Sequence, residues 1–194
     1  MFDKYILKQG QKVVFSLFAF AIFFGLIDFE FISTLLFLIF ILSLYIFRNK
    51  KIKVDNDALF ISPVSGRIEA IDFNDTHKFI YINVSLFDES FFISPETSQI
   101  EVIEHRKGLN LSFDDRKSKD LNEKLHLKTE NSQLELISSF STNNISTLPQ
   151  KNYQIGQFIT LFTQGEVIIK IKKDFNLDLK IADRLKIGQV LLKK

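Results

Sequence analysis

The chain has 194 residues, of which 46% are hydrophobic, and a formal net charge of +2. It has no cysteine, which excludes disulfides and thiolate metal ligands. The nearly balanced charge is not typical of a nucleic-acid-binding protein, so we expect no nucleic-acid partner.

An apolar stretch of 35 residues, from Val13 to Phe47, contains only two charged residues, Asp28 and Glu30, near its middle. The charged pair divides it into two arms, residues 13–27 and 31–47. Lysines precede the stretch, and Arg48 and further lysines follow it. Long apolar runs with basic flanks are typical of membrane-embedded helices, so the sequence predicts an α-helical membrane hairpin.

The arms contain 15 and 17 residues, which as helices would extend roughly 22 and 26 Å. The hydrocarbon core of a bilayer is about 30 Å thick, so the hairpin either spans a thinned bilayer or enters one leaflet and turns back. The basic flanks place both ends on the cytoplasmic side. Two alternatives are a helical hairpin buried in a soluble core and a cleaved signal peptide. The second arm and the missing small-residue cleavage site argue against the signal peptide.

The predicted domain plan has four parts. They are a cytoplasmic N-terminus at residues 1–12, the hairpin at 13–47, a basic linker at 48–57 and a β domain at 58–194.

After the linker, the hydrophobic pattern alternates with the period of two that is typical of strands. Short strands separated by turns predict a mainly β fold, with a terminal hairpin turn at residues 185–191 that closes a β-sandwich. Residues 114–124 are highly charged and predict either a helix or a solvated loop. The predicted strands are 59–61, 67–71, 79–84, 100–103, 125–129, 134–137, 158–162, 167–172 and 190–193.

Side chains that could carry chemistry are few. His77, His105 and His126 share no metal-ligand spacing, and we expect each of them to be solvated. Asp114, Asp115, Asp120 and Glu123 could form a cation site. Lysines and an arginine are interleaved with these acids, which favours a solvated charged face, so no metal site is predicted.

The order of several short motifs resembles the short bacterial phosphatidylserine decarboxylases, which have an N-terminal membrane hairpin and a compact β domain. The family's hairpin exit, its "SPADGKV"-like turn, its "MSPLDVHVNRAP"-like strand, its "NER" and its terminal "VGQ-V" turn each have a counterpart. These are Ile46–Arg48, Ser62–Ile68, Ser85–Pro95, Asn122–Lys124 and Ile187–Leu191. The resemblance covers nearly the full chain.

The resemblance implies a self-cleaving Gly-Ser pair whose serine becomes a pyruvoyl group, and a histidine base oriented by an aspartate. The aspartate position falls on Ser65, the histidine position on Ser90, and the Gly-Ser pair on Thr163 and Gln164. A serine hydroxyl replaces neither a carboxylate nor an imidazole near neutral pH, and glutamine has no hydroxyl to attack a carbonyl. The chain contains no Gly-Ser pair at all. We therefore predict no intact catalytic residue and no pyruvoyl cofactor.

The expected function is that of a decarboxylase-related membrane protein, linked to phosphatidylethanolamine metabolism, without catalytic activity. It would act at the inner leaflet of the bacterial cytoplasmic membrane, with the β domain on the cytoplasmic side. Its expected partners are membrane phospholipid and either an active paralogue or further copies of itself. The alternatives are an active, divergent decarboxylase that uses Thr163 or a residue not recognised from the sequence, and an unrelated membrane-anchored β-sandwich adaptor.

Overall fold

Two units divide the chain, Met1–Lys51 and Ile52–Lys194. The computed structural model describes residues 5–6, 8–48, 52, 54–55, 57–113, 116–140, 152–175 and 177–193. Parts of the predicted N-terminus and linker lie outside the described residues, so the predicted boundaries at 12, 48 and 57 remain predictions.

The first unit contains two helices, α1 (Lys8–Leu26) and α2 (Glu30–Ile46), joined by a turn in which Asp28 has a φ of 61°. The predicted pair of helices is therefore present. The α1 helix begins five residues before the predicted arm, because the lysines and glutamines of its first turns are good helix formers despite their polarity. The Ser33 hydroxyl of α2 donates a 2.8 Å hydrogen bond to the Ala21 carbonyl of α1.

The outer surface of this unit is apolar. Val14 and Ala21 are buried, whereas Phe20, Phe31 and Leu38 belong to a large set of exposed apolar side chains. No helix in the described part of the chain is both long and apolar enough to cross a membrane. The expected transmembrane hairpin is therefore not supported.

The second unit is mainly β, as predicted. Its strands and its single described helix have the following bounds: β1 Ala58–Ile61, β2 Gly66–Phe73, β3 His77–Val84, β4 Phe91–Ile93, β5 Ser98–Gln99, β6 Glu101–Arg106, α3 Arg116–Leu121, β7 Lys124–Lys128, β8 Ser132–Ser138, β9 Asn152–Tyr153, β10 Phe158–Leu161, β11 Gly165–Lys172, β12 Arg184–Leu185 and β13 Val190–Lys193.

A seven-stranded sheet organises this unit, with the strand order β12-β2-β3-β11-β8-β7-β6. Its described pairings are antiparallel. Three two-stranded sheets accompany it, β1 with β13, β4 with β10, and β5 with β9. Along β11, Val167, Ile169 and Ile171 are buried while Ile168 and Lys170 are partly exposed, so the alternation read from the sequence is the inner and outer face of this sheet.

The predicted terminal hairpin is wrong. A turn does lie at residues 186–189, but β12 before it pairs with β2 and β13 after it pairs with β1. The two strands flanking the turn thus belong to different sheets. The charged stretch at 114–124 is predicted to be a helix or a loop, and it contains the helix α3. Asp114 and Asp115 lie outside the described residues.

Gly165, the first residue of β11, has a φ of +150°, and a Cβ atom there would lie 2.2 Å from the Ile137 carbonyl oxygen. We expect Gly165→Ala to lower the free energy of unfolding by at least about 2 kcal/mol, because both the backbone conformation and the contact oppose a side chain. Urea unfolding of the full chain, followed by far-UV circular dichroism, measures this.

Ala182 provides the matched control, since it has a φ of 74° without being a glycine. We expect Ala182→Gly to leave the free energy of unfolding unchanged or to raise it by up to about 1 kcal/mol. Equal stability of Gly165→Ala and the native protein would contradict this account of β11.

Candidate functional site

The turn between β1 and β2, residues 62–65, is the first element of the site. The Ser62 hydroxyl donates a 2.7 Å hydrogen bond to the Val64 carbonyl and closes the turn on itself. Gly66 follows, where a Cβ atom would lie 2.4 Å from the Asn83 carbonyl oxygen. This close approach requires glycine and fixes the direction in which the chain enters β2.

Ser65 is buried in this turn with both sides of its hydroxyl engaged. Its Oγ accepts a 2.8 Å hydrogen bond from the Ile187 backbone N–H and donates to the Glu89 carboxylate. The Ser65 side chain therefore joins the turn to the C-terminal segment and to the residue that precedes Ser90.

Ser90 lies immediately before β4. Its backbone carbonyl accepts a 3.0 Å hydrogen bond from the Phe162 N–H, which continues the pairing of β4 with β10. Its hydroxyl is buried and has no hydrogen-bond partner among the described residues. A buried hydroxyl without a partner is uncommon in native proteins, and such groups occur at functional sites.

Thr163 and Gln164 follow β10 and lead into β11, and both are half-buried. The Ser139 N–H donates a 3.1 Å hydrogen bond to the Gln164 carbonyl. Thr163 directly follows Phe162, the residue that is hydrogen-bonded to Ser90. The structure thus joins the three segments that hold the positions Ser65, Ser90, and Thr163 with Gln164, through the Ser65–Glu89 and Phe162–Ser90 hydrogen bonds.

Glu89 is a residue of this site that the sequence analysis missed. Its carboxylate accepts the Ser65 hydroxyl, so an acidic group lies beside the position where the resemblance expects an aspartate. Its position next to Ser90 in the chain is the feature from which the sequence could have identified it. The other four positions hold three hydroxyl groups and one amide, and none of the five holds an imidazole.

The three histidines lie elsewhere in the second unit. His77 pairs with Lys172, at the opposite end of β11 from Gly165, roughly 20 Å along the strand. His126 contacts Glu135 at 3.2 Å on β7 and β8. Among the described residues, no group of three or more histidines and carboxylates is arranged to hold a metal ion.

The predicted solvated face is wrong for Glu123. Glu123 is buried, and its Oε1 lies 2.8 Å from the His105 Nε2 and 3.5 Å from the Lys107 Nζ. Pairing with two basic side chains compensates the burial of this carboxylate.

Tyr81 lies on the outer face of the sheet. Burial raises the pKa of its phenol above the ordinary value of 10.0, and the charge of Asp72 and a hydrogen bond to it raise the pKa further. A phenol with the ordinary pKa is already neutral at pH 7, and the raised pKa extends the pH range in which Tyr81 donates a hydrogen bond.

Ser65 and Ser90 give a matched pair of predictions, since both are buried serines. We expect Ser65→Ala to lower the free energy of unfolding by about 1–3 kcal/mol, because the buried Ile187 N–H loses its acceptor. Ser90→Ala should be neutral or slightly stabilising, because its hydroxyl has no partner to lose. Urea unfolding measures the free energy of unfolding of both variants, provided that its dependence on urea concentration is the same. Equal losses of stability would contradict the different hydrogen bonding of the two serines.

Comparison with known proteins bears on the whole of the second unit. A sequence model of the family described as "Phosphatidylserine decarboxylase" matches residues 39–193, from within α2 to the end of β13. No curated protein and no solved structure matches the chain. The match covers well over half of the chain and includes every position of the site, and the chain therefore belongs to the phosphatidylserine decarboxylase family.

Proposed function

We propose that this protein is a non-catalytic member of the phosphatidylserine decarboxylase family, which acts at a phospholipid surface. One observation carries the proposal. The positions at which the family resemblance expects an aspartate, a histidine and a Gly-Ser pair lie on three segments that hydrogen bonds join, yet they hold Ser65, Ser90, Thr163 and Gln164. The scaffold is retained, and the groups that would perform the chemistry are replaced.

A pyruvoyl group does not fit these residues. Its formation begins when a serine hydroxyl attacks the preceding carbonyl, and Gln164 has an amide where that hydroxyl would be. Thr163 has a hydroxyl, but its additional methyl group would not give a pyruvoyl product. The base position is occupied by Ser90, whose hydroxyl cannot take up a proton near pH 7.

An active, divergent decarboxylase is the second candidate, and Glu89 is the observation that favours it. Glu89 is a carboxylate beside Ser65 and next to Ser90 in the chain, so it is the group best placed to accept a proton in the site. An adaptor unrelated to the family is excluded by the family match.

We expect the purified protein to be one uncleaved chain of 22.6 kDa that shows no carbonyl reactive towards a hydrazide probe. Attack by the Thr163 hydroxyl on the preceding carbonyl would instead cleave the chain between Phe162 and Thr163 and release residues 163–194, a fragment of about 3.7 kDa, which is the share of the chain mass in those 32 residues. Intact-mass spectrometry distinguishes the two results.

An assay for the conversion of phosphatidylserine to phosphatidylethanolamine accompanies the mass measurement. Conversion by the native protein that is lost in both Thr163→Ala and Glu89→Gln, but retained in the exposed control Glu130→Gln, would contradict the proposal and establish the active alternative.

The surface of the first unit supports membrane attachment. Apolar side chains are exposed on both helices, and they include Phe20 and Phe23 on α1 and Leu35 and Leu38 on α2. An exposed apolar surface of this extent is costly in water and favourable in hydrocarbon. We propose that phospholipid covers it.

The hydroxyl groups of α2 are consistent with that environment. Thr34 donates a 2.8 Å hydrogen bond to the Glu30 carbonyl, and Ser43 donates a 2.7 Å hydrogen bond to the Phe40 carbonyl. Both hydroxyls are thus satisfied within the helix, as a lipid environment requires.

The basic residues suggest which side of the membrane the protein occupies. Lysines lie before and within the first turns of α1, and Arg48 and further lysines follow α2, while the turn between the helices holds Asp28 and Glu30. The positive-inside rule then favours the cytoplasmic face of a bacterial inner membrane for both ends. In this arrangement the second unit would bind the inner leaflet, an active relative or a further copy of itself.

We expect Phe20→Asp combined with Leu38→Asp to reduce co-flotation of the full chain with phosphatidylglycerol-containing vesicles at least ten-fold. Each aspartate introduces a charge in the middle of an arm, at a cost of about 2.5–3.5 kcal/mol in a bilayer centre. The control is Phe87→Asp, which changes an even more exposed phenylalanine of the second unit and should leave flotation unchanged. Flotation that is equal for all three proteins would contradict insertion of the helices.

A further inference from the structure

A cavity of about 220 Å³ lies in the second unit, beside the end of β11 opposite to Gly165. We call the positions Ser65, Ser90, Thr163 and Gln164 the family site. Its apolar wall is formed by Leu59, Phe60, Ile171, Phe175, Leu177 and Leu192, and its polar wall by Glu96 and Asn131. Ile171 lies six residues along β11 from Gly165, so roughly 20 Å separates this Glu96 cavity from the Thr163–Gln164 segment.

The apolar wall has a buried floor and a more open rim. Phe60, Ile171 and Leu177 are buried, whereas Leu59 is 43% exposed. A ligand could therefore enter beside Leu59 and bury an apolar group against the floor. Since a water molecule occupies roughly 30 Å³, the volume corresponds to about seven such units, enough for a short alkyl chain and too little for a drug-sized molecule.

Glu96 is the unusual member of the cavity. The residue is buried, with a relative exposure of only 4%. The turn between β7 and β8 surrounds its carboxylate with neutral donors. Oε1 accepts from the Thr129 hydroxyl and from the Asn131 backbone N–H at 3.2 Å, and Oε2 accepts from the Asn131 side-chain amide at 2.6 Å.

No cation compensates this carboxylate within the described residues, where the ion pairs involve other acids. Two carboxylate oxygens offer about four acceptor positions, and three are used here, which leaves one on Oε2. A buried carboxylate is stabilised most by an opposite charge with a hydrogen to donate. Glu123, the other buried acid described above, has the Lys107 ammonium as such a partner and a contact with His105, whereas Glu96 has no cationic partner among the described residues.

We propose that the Glu96 cavity binds a small aliphatic amine in its protonated form. The alkyl chain, of about six to eight carbon atoms, lies against Phe60, Ile171 and Leu177, and the ammonium group donates to Glu96 Oε2. An aliphatic carboxylate of the same length is repelled by Glu96, and an aliphatic alcohol leaves its charge uncompensated. This assignment does not rest on the proposed function, because it uses none of the residues of the family site.

Isothermal titration calorimetry of the full chain in a neutral sugar detergent tests the proposal, with n-octylammonium chloride as the probe below its micellar concentration. We expect saturable binding to the native protein and a Kd at least ten-fold weaker for n-octanol and for octanoate. We expect Glu96→Gln to weaken octylammonium binding at least ten-fold. Glu130→Gln, which removes the same charge from an exposed residue of the same turn, should not change it.

A second variant keeps the test decisive if Glu96→Gln fails to fold. Leu192→Phe fills the cavity without touching the carboxylate, and it should abolish octylammonium binding while the thermal midpoint of the free protein is maintained. Partitioning of the probe into detergent or onto the apolar helices is common to all the variants and cancels in the comparison. The proposal is overturned by absent saturable binding to the native protein, by octanol binding as tightly as octylammonium, or by equal binding to Glu130→Gln and a folded Glu96→Gln.

Discussion

The attachment of the C-terminal turn to the Ser62–Gly66 turn is the constraint on which the candidate site depends. The Ser62 N–H donates to the Gln189 carbonyl at 2.8 Å, and the Gly188 N–H donates back to the Ser62 carbonyl at 2.9 Å. The Ile187 N–H adds the bond to Ser65 Oγ. These bonds join residues more than 120 positions apart, so the second unit must be nearly complete before Ser65 reaches its place. The same attachment separates β12 from β13, because it directs the two strands to different sheets.

The site contains a carboxylate, although not at the position where the resemblance expects one. Ser65 takes the place of the expected aspartate, and Glu89 supplies a carboxylate beside it. The two together keep a hydrogen-bonded polar group between the turn and β4. No comparable substitute is present at Ser90, whose buried hydroxyl lacks a partner among the described residues. A buried hydroxyl without a partner is uncommon in native proteins, so Ser90 is the exceptional polar group of this site.

The large sheet keeps two polar features apart. The family site gathers where β11 begins, and the Glu96 cavity lies where β11 ends. Each is built from segments outside the large sheet as well as from its strands, β4 and β10 in the first case and β1 and β13 in the second. Because an extended strand holds its ends at a fixed separation, β11 keeps Ile171 of the cavity roughly 20 Å from Gly165, which follows Thr163 and Gln164. The residues proposed to bind the amine are therefore different from the residues of the family site.

The sequence by itself determined the local features. Apolar runs predicted α1 and α2, and alternation with a period of two predicted strands such as β3 and β11, because each residue's neighbours in the chain specify these periodicities. The absence of a Gly-Ser pair was equally a property of the sequence. Short, fully buried β4 has no alternation to detect, and two-residue β12 is too short to show one. Only the tertiary structure decided that Glu123 is buried, that Ser65 contacts Glu89, and that Ser90 is hydrogen-bonded to Phe162 beside Thr163. The physical reason is that hydrogen bonds and burial between distant segments, which no local pattern encodes, hold these side chains in place.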